Sequence, residues 1–374
     1  MIFNQVNNFG LQIFKQLYVS QNATGNMAFD GISFYILMGA INLGLQGRSN
    51  EQLSHFLNED LDELYNIIDI KHSRTARKFI NLRFRAQEVS NSNAGFFSSC
   101  YIYKNYSRIA RIVFDHFEFQ FNISDPKKST RSMNEWVSGW VHEPVRDMLQ
   151  DSIPSDNRLV FIYTFNFHLD WIMSFDPRFT KQDIFVDDKN RVLLVPMMNK
   201  IGRYRIFDST GYGYTILFQP SNDRKFYSAI VLPREEYSVN DVLNIFKIDQ
   251  LQYYYRNSSV QYVHLKLPKF KIFATQDLVN TLKNLGITYI FDQNYSDFGR
   301  MTNHSVFIGN ITQVSKVIID DLGDVVTYTR KARIDEYVSS PYLFYVTRPF
   351  FFFVYSIEGY LVRISAIVTN PNTF

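Results

Sequence analysis

The hydrophobic period of this chain is helical over roughly its first 150 residues and strand-like over most of the remainder, with no sustained alternation between the two. Val6, Phe9, Ile13 and Leu17 recur three and four residues apart, as on one face of an amphipathic helix. Ile32 to Leu43 is mostly apolar and predicts a buried helix that stops near Gly44. Ser132 to Leu149 predicts another, with Met133, Trp136 and Trp140 as its buried stripe and Pro144 ending or kinking it. From Leu159 the pattern changes. Leu159 to Phe167 (LVFIYTFNF) is a near-continuous apolar run, as expected of a central strand covered on both faces. Val263, Leu265 and Leu267 alternate with polar neighbours, as in a strand buried on one face. Helical spacing returns from Gln276 to Leu285, through Leu278, Leu282 and Leu285, with Gly286 as the stop. Pro349 to Val368 is again strand-rich. A doubly wound parallel sheet needs βαβ alternation, so an α+β fold is expected. The aromatic content of 17%, carried by 35 Phe and 24 Tyr, agrees with a large β component.

Composition removes several function classes. Lys plus Arg number 39 against 36 Asp plus Glu, a net +3 that is too balanced for a protein whose task is coating nucleic acid. Cys100 is alone, which excludes an internal disulfide, a CxxC redox pair and a multi-Cys zinc site; it is expected to be a small buried apolar residue. Asn4, Gln5, Asn7, Asn8, Gln12 and Lys15 interrupt every apolar run before Val19, so no signal peptide is expected. The densest apolar stretch, Phe350 to Tyr355, lies between Arg348 and Glu358 and is too short to span a membrane. The chain lacks HExxH, GxSxG, Walker and complete GxGxxG signatures; Gly211 and Gly213 form a lone G-x-G best taken as a turn. His55, His72, His116, His142, His168, His264 and His304 show no metal-ligand pairing. No catalytic residues, metal or cofactor are therefore expected, and the chain is not expected to be an enzyme. One charged cluster stands out: Lys71, Arg74, Lys78 and Arg85 share a helical face, with His72, Arg77 and Arg83 nearby. They form a candidate docking stripe for a polyanion such as a sulfated glycan, weighed against an ordinary solvated helix face.

A series of short strings, taken in order, resembles the serpin superfamily. Asn26-Met-Ala-Phe-Asp-Gly-Ile-Ser33, then Gly44 and Ser49-Asn-Glu-Gln-Leu53, is similar to the family's early N-x-x-x-S-P-x-S segment and the helices after it. Trp171-Ile-Met-Ser-Phe175 resembles the turn after a central strand, and Val195-Pro-Met-Met198 the V-x-M-M string. Leu267-Pro-Lys-Phe270, followed by Leu278, Leu282 and Leu285-Gly-Ile287, resembles one of the family's most regular stretches. Asp321-Leu-Gly323 resembles its E-E-G hinge, and Arg348-Pro-Phe-Phe351 and Asn370-Pro371 its closing strands. The resemblance spans about residues 5–371. It implies a single domain over residues 1–374, a monomer, with about three β-sheets, eight or nine helices and an exposed reactive loop at about residues 321–348. The missing leader resembles the intracellular, ovalbumin-like branch and some viral members, which implies a cytoplasmic protein or one secreted without a cleaved leader.

Inhibitory serpins are suicide substrates. A serine protease, here a candidate host enzyme, cleaves the loop; the freed segment then enters the central sheet as a new strand and the acyl-enzyme is distorted. The loop between Asp321 and Pro349 is close in length to those of inhibitory members, and Gly323 keeps the hinge glycine. Its composition is less favourable. A strand alternates faces, so Asp324, Val326, Tyr328 and Arg330 would share one side after insertion. The resemblance turns that side into the core, where small residues are expected. Asp324 and Arg330 would stand roughly 20 Å apart in a strand and could not neutralise one another. An unpaired buried charge costs several kcal/mol, and an oversized ring about 1–3 more. The resemblance also expects Ser, Ser, Asn and His in a polar cluster under the sheet opening, where this chain has Asp30, Ser33, Tyr163 and Gln313, with Gly31 in place of a proline. The scissile bond is Tyr337–Val338 counted from the hinge, or Val338–Ser339 counted back from Pro349, which suits a chymotrypsin- or elastase-like protease respectively. The expectation is a serpin-fold protein that inhibits poorly and acts by binding a partner protein; the alternative is a working suicide substrate.

Overall fold

The apolar stripe near the start of the chain acts as the periodicity predicts. In the computed structural model, which describes residues 2–66, 70–88, 90–121, 125–143, 158–168, 175–221, 224–321 and 340–372, helix α1 (Ile2–Ser20) buries Val6, Phe9, Ile13 and Leu17 to 4% exposure or less. Strand β1 (Met27–Phe29) leads into helix α2 (Gly31–Leu43), which is buried almost all round and stops at Gly44. Next come α3 (Gly47–Leu57), α4 (Glu63–Asn66), α5 (Arg74–Gln87), β2 (Ser90–Ser98), α6 (Lys104–Ile109) and β3 (Phe117–Gln120). Helix α7 (Pro126–Val141) and strand β4 (Arg158–His168) complete the first half.

The second half supplies β5 (Lys181–Val186), β6 (Val192–Asp208), β7 (Tyr214–Pro220), β8 (Phe226–Pro233), α8 (Val239–Ile245) and α9 (Leu251–Arg256). After these come β9 (Ser259–Pro268), β10 (Phe270–Asp277), α10 (Val279–Asn284), β11 (Phe307–Ile319), β12 (Tyr342–Tyr345), β13 (Phe350–Ser356) and β14 (Val362–Val368). A five-stranded sheet has the order β10-β11-β4-β2-β3. A nine-stranded sheet has the order β1-β14-β13-β8-β7-β6-β9-β12, with β5 also paired to β6. One large core joins the inner faces of both sheets to the amino-terminal helices, and a smaller one lies beneath α7.

Leu159 to Phe167 occupies the centre of the five-stranded sheet, in β4, as its unbroken apolar run implies. Four details differ from the sequence expectation. Two sheets rather than three are hydrogen-bonded among the described residues, because the 17-residue β6 is paired along its length to β5, β9 and β7 in turn. Ten α-helical segments are present among the described residues, some of a single turn or two. Helix α7 begins earlier than Ser132, with Asp125 capping and Pro126 in its first turn, and its last residue is Val141. Its buried stripe is Ser129, Met133, Val137 and Val141, an i, i+4 row facing the sheet, which leaves Trp136 at the margin and Trp140 42% exposed. Pro144 and Leu149 lie outside the described residues. Finally, Gln276 and Asp277 belong to β10, because pairing with β11 extends to Asp277↔Thr312; α10 starts only at Val279 and is followed by Gly286 at φ +87°. Gly211 and Gly213 lie in the connection between β6 and β7.

Candidate functional site

Strands β11 and β4 are parallel neighbours, paired from Phe307↔Arg158 to Ile318↔His168. The loop leaves from the end of β11. A segment that folds back beside β11 runs antiparallel to it, and so also antiparallel to β4. Entry at this seam would exchange one parallel ladder for two antiparallel ones, the slightly more stable kind. The described residues resume at 340, and β12 then pairs parallel to β9. Gly323, Asp324, Val326, Tyr328, Arg330, Tyr337, Val338 and Ser339 lie outside the described residues.

The core side of the seam is lined by Phe161, Tyr163, Phe165 and Phe167 of β4 and by Ile311 and Val317 of β11, all 1% exposed or less. Tyr163 and Gln313 are register partners, and the Tyr163 hydroxyl donates to Gln313 Oε1 directly across the seam. Gln313 Nε2 donates to Ala28 O at 2.8 Å and to Gln276 Oε1, while Gln276 Nε2 donates to Gln21 Oε1 at 2.7 Å. Phe34 stacks on the Tyr163 ring at 5.5 Å. Asp30 caps α2 by accepting from the Ile32 and Ser33 amides, and its other oxygen accepts from Ser33 Oγ at 2.6 Å and Ser92 Oγ at 3.0 Å. Burial pushes the Asp30 carboxyl up; hydrogen bonds from Ser33 and Ser92 and the positive charge of Arg363 pull against that. The four residues of the expected cluster thus form two networks, one along α2 and one across the seam. Gly31 sits in a close helix contact: a Cβ there would stand 3.0 Å from Gly10 Cα, so a larger residue requires α1 to shift where it touches α2.

The root of the loop is anchored by charge. Asp321 is 4% exposed; Lys269 Nζ lies 2.6 Å from its carboxylate and Thr180 Oγ1 donates to it at 2.9 Å. Thr180 precedes β5 of the nine-stranded sheet and Lys269 joins β9 to β10, so one buried carboxylate fastens the end of β11 where the two sheets meet. Beyond the loop, Tyr342 donates to Asp208 Oδ2 at 2.7 Å, and Asp208 also pairs with Arg234 at 2.5 Å.

The basic stripe is not a single exposed row. The Lys71 side chain lies outside the described residues. Arg74 is exposed, but Lys78 pairs with Glu59 beside the Tyr35 and Phe79 rings, and burial lowers its pKa to about 8. Arg85 pairs with Glu358 at 3.3 Å and covers the Phe3 ring. The buried stripe of α5, Ala76, Phe79, Leu82 and Ala86, turns Lys78 and Arg85 to the helix margin and leaves Arg74 and Arg77 outward. Cys100 is buried against Ser98 and Thr302. Among the described residues no group of three or more His, Cys, Asp or Glu could hold a metal, and no helix is long and apolar enough to cross a membrane.

Sequence reasoning named Asp321 and the Asp30, Ser33, Tyr163 and Gln313 set. It missed Thr180, Lys269, Ser92, Gln276 and Gln21, whose roles arise only from long-range contacts. The strongest available signal was the Lys in Leu267-Pro-Lys-Phe270, taken there only as part of a matching string.

Comparison with known proteins fits this arrangement. The model of the serpin family, described as serine protease inhibitor, matches residues 4–371. Glia-derived nexin of Homo sapiens is 25% identical over 360 residues, covering 93% of this chain and 88% of its own. Antitrypsin of Bombyx mori is 22% identical over 358 residues, covering 93% and 89%. Among solved structures, native protease nexin-1 with heparin superposes with a TM-score of 0.83 at 22% identity over 99% of both chains. Mouse protein-Z-dependent protease inhibitor gives a TM-score of 0.84 at 20% identity, over 99% of this chain and 96% of that one. The chain belongs to the serpin family.

Proposed function

We propose that this serpin traps proteases poorly and acts by binding a partner protein. The observation that carries the reading is the filled core side of the seam, where rings from β4 crowd and Tyr163 bonds across to Gln313. A strand entering there would have to house Asp324, Tyr328 and Arg330 if the family's facing holds. Each new backbone hydrogen bond contributes about 1 kcal/mol net. An unpaired buried carboxylate costs several kcal/mol, so Asp324 alone offsets the first few bonds gained. Slow insertion favours hydrolysis of the acyl-enzyme and release of a cleaved chain.

The alternative is a working inhibitor of a chymotrypsin- or elastase-like serine protease, cleaved at Tyr337–Val338 or Val338–Ser339. The retained Gly323 and the relatives named antitrypsin and nexin favour it. Incubation with chymotrypsin or elastase followed by a denaturing gel separates the two. Cleavage near Tyr337 without an SDS-stable adduct is the expected result, and a stable adduct would overturn the proposal. A sulfated glycan is a second partner class, supported by the heparin in the solved nexin-1 structure. On this chain it would rest on Arg74 and Arg77, and loss of heparin-column retention in an Arg74→Ala/Arg77→Ala variant is the expected outcome.

A further inference from the structure

Helix α7 lies across the outer side of the five-stranded sheet. Its Trp136 meets Phe97 of β2 and Phe119 of β3, and its Met133, Val137 and Val141 cluster with Val160 and Ile162 of β4 and Val314 of β11. It therefore crosses the β4–β11 seam on the face opposite the polar networks. The chain leaves the helix through His142 in the left-handed conformation, φ 52°, which brings Glu143 over the far half of the sheet. There Glu143 Oε1 accepts from Lys271 Nζ of β10 at 2.6 Å, and Lys316 Nζ of β11 lies 3.1 Å away. Lys316 is 9% exposed, and its Nζ also donates to Val141 O at 3.3 Å.

We infer that Glu143 is a latch: it fastens the end of α7, whose apolar row rests on Val160 and Ile162 of β4 and also reaches Val314 of β11, to Lys271 of β10 and Lys316 of β11, and so sets how readily the seam opens. The distances support this. A strand admitted between β4 and β11 moves the two halves apart by one further strand spacing, about 4.8 Å. Contacts of 2.6 and 3.1 Å cannot survive that movement while α7 stays on Val160 and Ile162. Either the two ion pairs break or the helix slides. The apolar seat of α7 is not fully satisfied: Thr164 Oγ1, on the α7 side of β4 by strand alternation, and Asn134 Oδ1 on α7 are buried without hydrogen-bond partners among the described residues. Polar closure at the helix end complements an imperfect apolar seat. Hydrogen bonds from Lys271 and Lys316 hold the Glu143 carboxyl below the usual range, so the latch is charged at neutral pH. Glu143 is 27% exposed on its side chain, which leaves it open to screening by salt.

The latch acts on the free chain, so its test needs no protease and is separate from whether trapping occurs. Amide hydrogen exchange is measured on the intact wild type, Glu143→Gln and Lys271→Met, with Glu143→Asp as the conservative control. The expected result is exchange about tenfold faster in β4 and β11 of Glu143→Gln, with β13 and β14 unchanged and partial recovery in Glu143→Asp. Salt at about 1 M should bring wild type towards the variant and leave the variant nearly unmoved. Seam amides exchanging at the wild-type rate in Glu143→Gln, or an equal rise in every strand, would overturn the inference.

Discussion

Replacing Lys269 by methionine should loosen the root of the loop and cost global stability. Met keeps most of the aliphatic stem of Lys but removes the cation that stands 2.6 Å from Asp321. At an effective dielectric near 20 that pair has a gross attraction of about 6 kcal/mol. Part of this is already offset by hydration, because the Lys269 side chain is 24% exposed whereas that of Asp321 is only 3% exposed. What the substitution leaves is a buried carboxylate with Thr180 as its remaining named donor, and removing one partner of such a pair typically costs about 3–5 kcal/mol. The exposure of Lys269 places the expected loss near the lower figure, about 3 kcal/mol. Urea unfolding followed by tryptophan fluorescence measures it, and Asp321→Asn/Lys269→Met should recover part of the loss because no charge is then stranded. A change under about 1 kcal/mol in Lys269→Met would refute the anchoring role.

Other substitutions probe the same fold independently. His116 is buried between the Phe96 and Phe161 rings, its Nε2 has no partner among the described residues, and burial lowers its pKa to about 3. Its neutral form is therefore favoured in the folded state; its contribution is fully present above about pH 6.5 and is lost as pH falls from there towards 3, by about 1.4 kcal/mol per unit. Denaturant midpoints taken from pH 7.5 to 4.5 should fall in wild type, and His116→Phe should flatten the part of that slope due to this residue; an unchanged slope would contradict the assignment. Tyr163→Phe removes the donor across the seam and leaves a buried Gln313 oxygen short of a partner, for an expected loss of about 1–2 kcal/mol in urea unfolding. Gly31→Ala places a methyl group 3.0 Å from Gly10 Cα and should lower stability by about 1–3 kcal/mol, whereas an unaltered melting point would show that α1 yields freely.

Much of the architecture was legible where local pattern and tertiary demand agree. The run through Phe161 and Phe165 gave a central strand, and Val6, Phe9, Ile13 and Leu17 gave a buried helical face, because each pattern fits one environment only. The reading of α7 failed for a physical reason: two tryptophans suggested the stripe, but the sheet beneath selects Met133, Val137 and Val141, and large rings at the rim satisfy their apolar surface against Phe97 and Phe119 instead. The helix expected from Gln276 began late because a ladder with β11 fixes those residues first. The basic stripe had the right spacing, yet periodicity alone does not say that Glu59 and Glu358, distant in sequence, take up Lys78 and Arg85. Asp30, Ser33, Tyr163 and Gln313 were found through family resemblance; their bonds to Ser92, Gln276 and Ala28 depend on the folded arrangement.

A melting curve of nicked against intact protein reads out what residues 321–348 do once they are cut. Strand insertion would add a paired strand to the five-stranded sheet and raise the melting temperature by more than about 10 °C, the equivalent of several kcal/mol. On the proposal above, cleavage near Tyr337 is expected to leave the transition within a few degrees of the intact chain, because Asp324 and Tyr328 would have to be housed beside Phe161 and Tyr163. A large upward shift after nicking would contradict it and mark this serpin as a working trap.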